Sequence, residues 1–435
     1  MADPTDVAIA AIESWFRAAL VAADPEAAVR AHLVRDGRTL TVGGRRVEVR
    51  GRLVVLAVGK AAVGMARGAE AVCGDLIVVG LAITKDGHAD GAALLRLPTL
   101  EATHPVPDAR GEAATRRALA LVGGLRVDDV LLALISGGGS ALLEAPRPPV
   151  TLAELGQVTD LLLRAGAPID DLNAVRTPLS LVKGGGLRRV AGGAAVITLI
   201  LSDVLGNDPR VIASGPTVAG DADPDRARRL LDRYGLGERV PPSVSAALAA
   251  PVVTTDSGAT TNDLIAVVGD NAGAVAAAEA AAKAAGMRAA VIWRERTGEA
   301  ADLGRAWVAA CRAAPPEIDV LLGGGEATVT VRGGGIGGRN TEFALAAALG
   351  LAESDEPRWV IASLATDGQD GPTGVAGAIA DGGTIARSRA AGVDPVAALA
   401  ENDSRRVFEA AGGLVRPGPT GTNVNDLYVA VRVRR

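Results

Sequence analysis

The chain has 435 residues, a formal net charge of −5, 49% hydrophobic residues and only 2% aromatics, which is long enough for two or three domains and offers no basic face for nucleic acid or an anionic membrane. A small anionic ligand would therefore need a local cationic pocket. The 55 glycines follow no strict period and point to many tight turns, while Cys73 and Cys311 lie too far apart for a disulfide framework or a metal cluster, so a reducing cytoplasm is expected.

From the N-terminus, residues 1–20 carry Asp3, Asp6 and Glu13. They lack the cationic start and unbroken apolar run of a signal peptide and predict an amphipathic first helix. No stretch approaches the roughly 20 uncharged apolar residues of a membrane span. Short β-branched apolar runs at 53–58, 76–83, 130–135, 196–201, 264–268, 320–322, 359–364 and 427–433 predict strands. Ala-rich stretches at 61–73, 110–122, 152–165, 272–285, 300–313 and 341–349 predict helices between them. This alternation predicts an α/β fold of mainly parallel, Rossmann-like sheets with helices on both faces. A charged helix followed by Val240-Pro241-Pro242 within 221–250, and the polar stretch 254–262, read as the joint between two α/β halves. The expected domains are 1–245 and 246–435.

Polar residues gather where the strands end, which is where open α/β sheets bind ligands. Residues 130–142 run from a buried strand through Ser136, Gly137, Gly138, Gly139 and Ser140 into a helix. Glycines let backbone N–H groups turn toward an anion, and a helix N-terminus adds its field, so the loop fits a phosphate cradle. The alternative is a tight turn without a ligand. No GxxxxGK[ST] occurs, which argues against a Walker-type P-loop. Lys60 follows a strand and precedes a helix, where a cation opposes the helix dipole. That placement makes sense if an anion sits between them, or if the lysine extends to water.

Arg339 repeats the pattern. Residues 327–332 read as a strand, 333–338 as a glycine loop, and Arg339-Asn340 as a helix start. Arginine is the natural fork for a carboxylate or phosphate. Gly333, Gly335 and Gly338 match GxGxxG, but no convincing acidic residue follows about twenty positions on, so the loop is read as anion-binding rather than dinucleotide-binding. Asp203, Glu326 and Asp367 also follow strands. Asp203 and Asp367 suit an Mg²⁺ ligand or an acceptor for a hydroxyl proton, with Asp208 and Asp370 nearby; helix capping is the alternative. Thr177-Pro178 reads as a helix start carrying Ser180 and Lys183, whose spacing resembles the SxxK of penicillin-binding enzymes without their other elements. The three histidines have no zinc spacing. His104, in the rigid turn 103–108, faces a cleft or simply packs.

In order along the chain, VLAVGKAA (55–62), THPVPD (103–108), ISGGGSALL (135–143), DLNAVR (171–176), SDVLGNDPRVIASGPTV (202–218), GGGEATVTVRGGGIGGRNTEFALA (323–346), TDGQDGPTGVAGAIADG (366–382) and GPTGTNVNDL (418–427) resemble the class II, MOFRL-type glycerate kinases. The resemblance implies two α/β domains with an active site in the cleft between them, ATP and Mg²⁺, and glycerate phosphorylated on its 2-hydroxyl. Carried over by motif, Lys60 and Arg339 are implied as basic catalytic residues beside Asp203 and Asp367. The expected nucleotide contacts are Lys60, Ser136, Gly137, Gly138, Gly139, Ser140 and Asn340. The expected substrate contacts are Arg339, Arg176, Asn173 and His104, and the expected Mg²⁺ ligands are Asp203 and Asp367. The family usually shows Lys-His and then Ser after DLNAVR, where this chain has Thr177-Pro178 and then Leu179-Ser180, so two polar groups are missing. Members are also often labelled hydroxypyruvate reductase, and the incomplete dinucleotide fingerprint argues against NAD(P)H here. A non-catalytic small-anion binder is the remaining reading. Glycerate and ATP are the expected partners, with a homodimer as the assembly to test.

Overall fold

The computed structural model describes residues 3–89, 94–218, 220, 222–250, 263–353 and 359–434. The chain divides into two compact units, Pro25–Val268, and Met1–Asp24 together with Gly269–Arg435.

The first unit opens with a small antiparallel meander, β1 (Leu33–Asp36), β2 (Thr39–Val42) and β3 (Arg45–Glu48). Gly43 and Gly44 close the second hairpin at φ 56° and 78°, the two left-handed positions that a type I′ turn demands. These strands are too short and too charged to stand out in the sequence. The main sheet follows, built from β4 (Leu53–Val58), β5 (Ile77–Lys85), β6 (Thr99–Ala102), β7 (Val130–Ser136), β8 (Ala195–Leu201) and β9 (Leu264–Gly269), in the order β6-β5-β4-β7-β8-β9. From β6 to β8 the pairing is parallel throughout. Every residue of β4, β7 and β8 is buried, which is why they read as unbroken apolar runs.

Helices Leu152–Arg164, Ile169–Arg176, Pro224–Arg233 and Pro242–Ala249 form a second core of this unit around Val158, Leu162, Val175, Leu230 and Val244. The stretch expected to be a joint is thus packed into the first unit, and the division falls after β9 instead of near residue 245. Asp263 ties β9 in: it accepts from the buried Arg188 at 2.6 Å and from the Val196 N–H at 3.0 Å. The polar stretch 254–262 lies outside the described residues.

The second unit carries β10 (Ala289–Glu299), β11 (Val320–Thr328), β12 (Trp359–Ala365), β13 (Gly377–Ala380), β14 (Leu414–Val415) and β15 (Asp426–Arg432), in the order β10-β11-β15-β12-β13-β14. Both units are α/β, as the alternation predicts, but this sheet is mixed. β10 and β11 are parallel across the helix Ala300–Ala313, whereas β15 enters between β11 and β12 antiparallel to both. The N-terminal helix forms as expected (Pro4–Ala22, capped by Asp3) and belongs to this unit. It buries Ile12, Trp15, Phe16 and Ala19, and the Thr422 hydroxyl donates to the Ala23 carbonyl at 2.6 Å.

Gly323, Gly324 and Gly325 do not form a turn at a strand end. They lie inside β11, where a Cβ at Gly323 would come within 2.9 Å of Trp293 and 3.1 Å of Trp307. The scarce aromatics are concentrated there, with Phe343 stacked on Tyr428 at 4.8 Å and Trp293 edge-on to Trp307 at 4.7 Å. Of the strand expected over 327–332, only the first two residues are strand, as the tail of β11. No helix among the described residues is long and apolar enough to cross a membrane.

Candidate active site

Three neighbouring strands of the first unit, β4, β7 and β8, end in the residues singled out from the sequence. β4 delivers Gly59 and Lys60. The turn is bonded directly to the loop after β7: the Lys60 N–H donates to the Gly137 carbonyl at 2.8 Å, and the Ala61 N–H donates to Ser136 Oγ at 3.1 Å. Ser136 Oγ donates in turn to the Val58 carbonyl at 3.2 Å. Ser136 is buried and spent on this internal brace, so it shapes the loop and does not face a ligand, contrary to expectation. Gly138 has φ 82°, and a Cβ there would sit 3.1 Å from His104 Cδ2 and 3.4 Å from Lys60 Cγ. Lys60 and His104 therefore flank the glycine loop from both sides. The helix after the loop is one turn, Gly139–Leu142, so its dipole adds little field. Anion affinity here must come from backbone N–H groups and Lys60.

Ser140 Oγ is 2.9 Å from Ser214 Oγ and receives a hydrogen bond from Lys183 Nζ at 2.9 Å. Burial pulls the Lys183 ammonium down to about 8, against the opposing pull of Glu144. Ser180 Oγ donates to Glu144 at 2.6 Å instead of pairing with Lys183, so the SxxK arrangement does not form. Thr177-Pro178 does not begin a helix. It extends the helix Ile169–Arg176 as a 3₁₀ turn, with the Thr177 hydroxyl donating to the Asn173 carbonyl at 2.8 Å. Arg176, expected at the substrate, donates to the fully buried Glu144 at 3.1 Å. Asp203 lies half-buried just past β8, whereas Asp208 pairs locally with exposed Arg210 at 2.7 Å and is drawn down to about 2 by those hydrogen bonds.

In the second unit the centre is Arg339, the first residue of the helix Arg339–Ala352. Its Nε and Nη2 donate to Asp426 at 2.7 and 3.0 Å, and Nη1 donates to Glu326 at 3.1 Å. Burial works against its charge, but Asp426 and Glu326 hold the guanidinium above its ordinary range. These bonds use three of a guanidinium's five N–H groups, and the side chain is 29% exposed, so two donors remain for an anion. Asp426 is wholly buried between β11 and β12, and burial pushes its carboxyl upward while Arg339 and Asn340 oppose the shift.

The glycine loop 333–338 is not an anion nest. A Cβ at Gly333 would collide with Glu401, at Gly337 with Ser404 and at Gly338 with Asp370, so these glycines allow close packing. The helix N-terminus behind the loop is already capped by the buried carboxylate of Asp370, which accepts from the Asn340 N–H, the Thr341 N–H and the Thr341 hydroxyl, each at 2.8 Å. A protein carboxylate stands where the sequence pattern placed a ligand phosphate. Asn340 is likewise fully buried, donating to Asp426 at 3.0 Å and accepting from Ser363 at 2.6 Å. It steadies Asp426 and makes no nucleotide contact. Asp367 follows β12 and is half-buried, its Oδ1 accepting from the Gln369 N–H at 2.9 Å. Asp426, Glu144 and Ser214 escaped sequence reasoning. A charged residue immediately before or after an apolar run was the available signal for the first two.

Two family models match the chain, a domain of unknown function (DUF4147) over residues 11–249 and the MOFRL family over residues 319–426. A glycerate 2-kinase of Pyrococcus horikoshii is 38% identical over 426 residues, covering 95% of this chain and 94% of that protein. The chain belongs to the MOFRL-type glycerate 2-kinase family. A member from Agrobacterium vitis, under the provisional name hydroxypyruvate reductase, is 40% identical over 95% of this chain and 92% of its own. The crystal structure of a glycerate kinase from Thermotoga maritima matches with a TM-score of 0.86 at 36% identity, covering 98% of this chain and 100% of that one.

Proposed function

We propose that this protein transfers the γ-phosphoryl group of ATP, with Mg²⁺, to the 2-hydroxyl of D-glycerate. The observation that carries the reading is the pair of basic residues held at strand ends in a family of glycerate 2-kinases: Lys60 against the loop 136–140, and Arg339 clamped by Asp426 with donors to spare. Lys60 and the backbone N–H groups of 137–140 receive the ATP phosphates, and His104 lines the same loop. Arg339 holds the glycerate carboxylate or the transferring phosphoryl group. Asp203 and Asp367 are the candidates for Mg²⁺ and for the hydroxyl proton.

Among the described residues no three or more His, Cys, Asp or Glu gather into a metal site. That suits Mg²⁺, which commonly takes one or two carboxylates and completes its shell with phosphates and water. When bound, the ion neutralises charge on the phosphates; the protein's own part is to position and to supply fixed positive charge. The capped helix and packed glycines behind 333–338 disfavour the reductase reading, because they leave that motif no room for a dinucleotide pyrophosphate.

Phosphorus NMR of the product from ATP, Mg²⁺ and D-glycerate tests the reading. A 2-phosphoglycerate resonance is expected. A 3-phosphoglycerate resonance would overturn the regiochemistry, and hydroxypyruvate-dependent NADH oxidation without phosphoryl transfer would replace the kinase with a reductase. Light scattering on the same sample tests the homodimer.

A further inference from the structure

Behind the glycine loop lies a buried charged cluster for which phosphate binding by the loop has so far assigned no task. Lys183 Nζ donates to the Ser140 carbonyl at 2.7 Å and to Ser140 Oγ at 2.9 Å, and lies 3.5 Å from Ser214 Oγ. It also pairs with Glu144 at 3.3 Å, and Glu144 is shared with Arg176 at 3.1 Å. The side chains of Lys183 and Glu144 are 1% and 0% exposed. Three separate segments converge here: the residues just past the loop, the end of the helix Ile169–Arg176, and the turn before the helix Gly186–Val190.

Two cations meet one carboxylate, so the cluster carries a formal surplus of one positive charge out of water. A buried charge group of this kind is weak as a stabilising device, since apolar residues of similar volume commonly serve as well or better. The surplus lies within hydrogen-bond reach of the loop that would take an anion. Lys183 also joins two loops. Ser140 ends the glycine loop, while Ser214 sits in a turn where Ala213 and Ser214 hold φ of 51° and 61°, values that non-glycine residues avoid. A Cβ at Gly139 would approach Ala213 Cβ to 2.8 Å, so the two loops already touch.

We propose that Lys183 is a positioning residue for the ATP phosphates: it locks Ser140 to Ser214 so that both loops present one rigid surface, and it supplies the surplus positive charge beneath that surface. The inference rests on the reading of 136–140 as the phosphate seat. The test is steady-state kinetics of the full-length Lys183→Met and Lys183→Arg variants, measuring KM for ATP and KM for glycerate separately, with circular dichroism to confirm folding. Loss of one charge-assisted contact predicts a KM for ATP raised about 10- to 100-fold in Lys183→Met, with KM for glycerate within about threefold. Lys183→Arg should lie closer to wild type. Unchanged KM for ATP, or an equal rise in both KM values, would overturn the proposal. Should Lys183→Met not fold, Ser140→Ala removes the tether alone; an unchanged KM for ATP in that variant is equally fatal. If the wild type fails to turn over glycerate, the underlying kinase reading is what fails, and calorimetric ATP affinity of Lys183→Met against wild type then decides the inference by itself.

Discussion

Replacing Asp426 by Asn removes the charge that holds Arg339 while keeping the side chain's shape. Three N–H groups converge on this carboxylate, two from Arg339 at 2.7 and 3.0 Å and one from Asn340 at 3.0 Å. An amide offers one acceptor oxygen and must turn its NH₂ toward at least one of those donors. The loss of a charge-assisted hydrogen bond of about 1.5–3 kcal/mol, plus the desolvated charge left on Arg339, gives a cost on the order of 3 kcal/mol. That is the low end for breaking a buried pair, because Glu326 still reaches Arg339 at 3.1 Å. Glu326 is 42% exposed and cannot hold the guanidinium at one angle. A displacement of about 1 Å lowers kcat/KM by up to about 100-fold. Urea unfolding followed by circular dichroism reads the first quantity, and steady-state kinetics with glycerate reads the second. A wild-type unfolding midpoint together with kcat/KM within about twofold of wild type would refute the argument that Asp426 positions Arg339.

Lys60→Ala should cut kcat/KM by about 100-fold or more if Lys60 neutralises developing charge, with little change in the thermal midpoint; a near-wild-type rate removes it from the mechanism. Asp370→Ala should destabilise the protein by roughly 2–4 kcal/mol in denaturant titration, since three hydrogen bonds to the start of the helix Arg339–Ala352 are lost. Lys183, faced by Glu144 and Arg176, is charged below about 8 and loses its proton above it. KM for ATP should therefore rise as pH passes from 7 to 9 in the wild type and stay flat in Lys183→Met. At acid pH, Asp129 matters: burial opposes its charge, but hydrogen bonds from Arg52 and the backbone bring it down to about 2. Because the folded value lies below the unfolded one, this group adds roughly 2 kcal/mol above pH 4 that is lost between about pH 4 and 2, and Asp129→Asn should flatten that part of the stability profile.

The strands of the first unit were legible because burial on both faces leaves nothing but apolar residues in them, and a run such as 130–135 has no other home. The same logic found Lys60 and the loop 136–140, since chemistry at the end of a parallel strand is set by local order along the chain. What stayed hidden depends on distant partners. Asp370 looked like a metal ligand and is a helix cap supplied from another segment. The glycines of 333–338 looked like a phosphate fingerprint and are contact points for residues 401–404 and 370. The placement of the Pro4–Ala22 helix in the second unit follows from buried contacts with residues more than 250 positions away, and no local pattern encodes them.

The most direct measurement is ADP release by the wild-type protein with ATP and Mg²⁺, with and without D-glycerate. The account predicts release that depends on glycerate and saturates with it. Release that is absent, or that proceeds equally without glycerate, would contradict it.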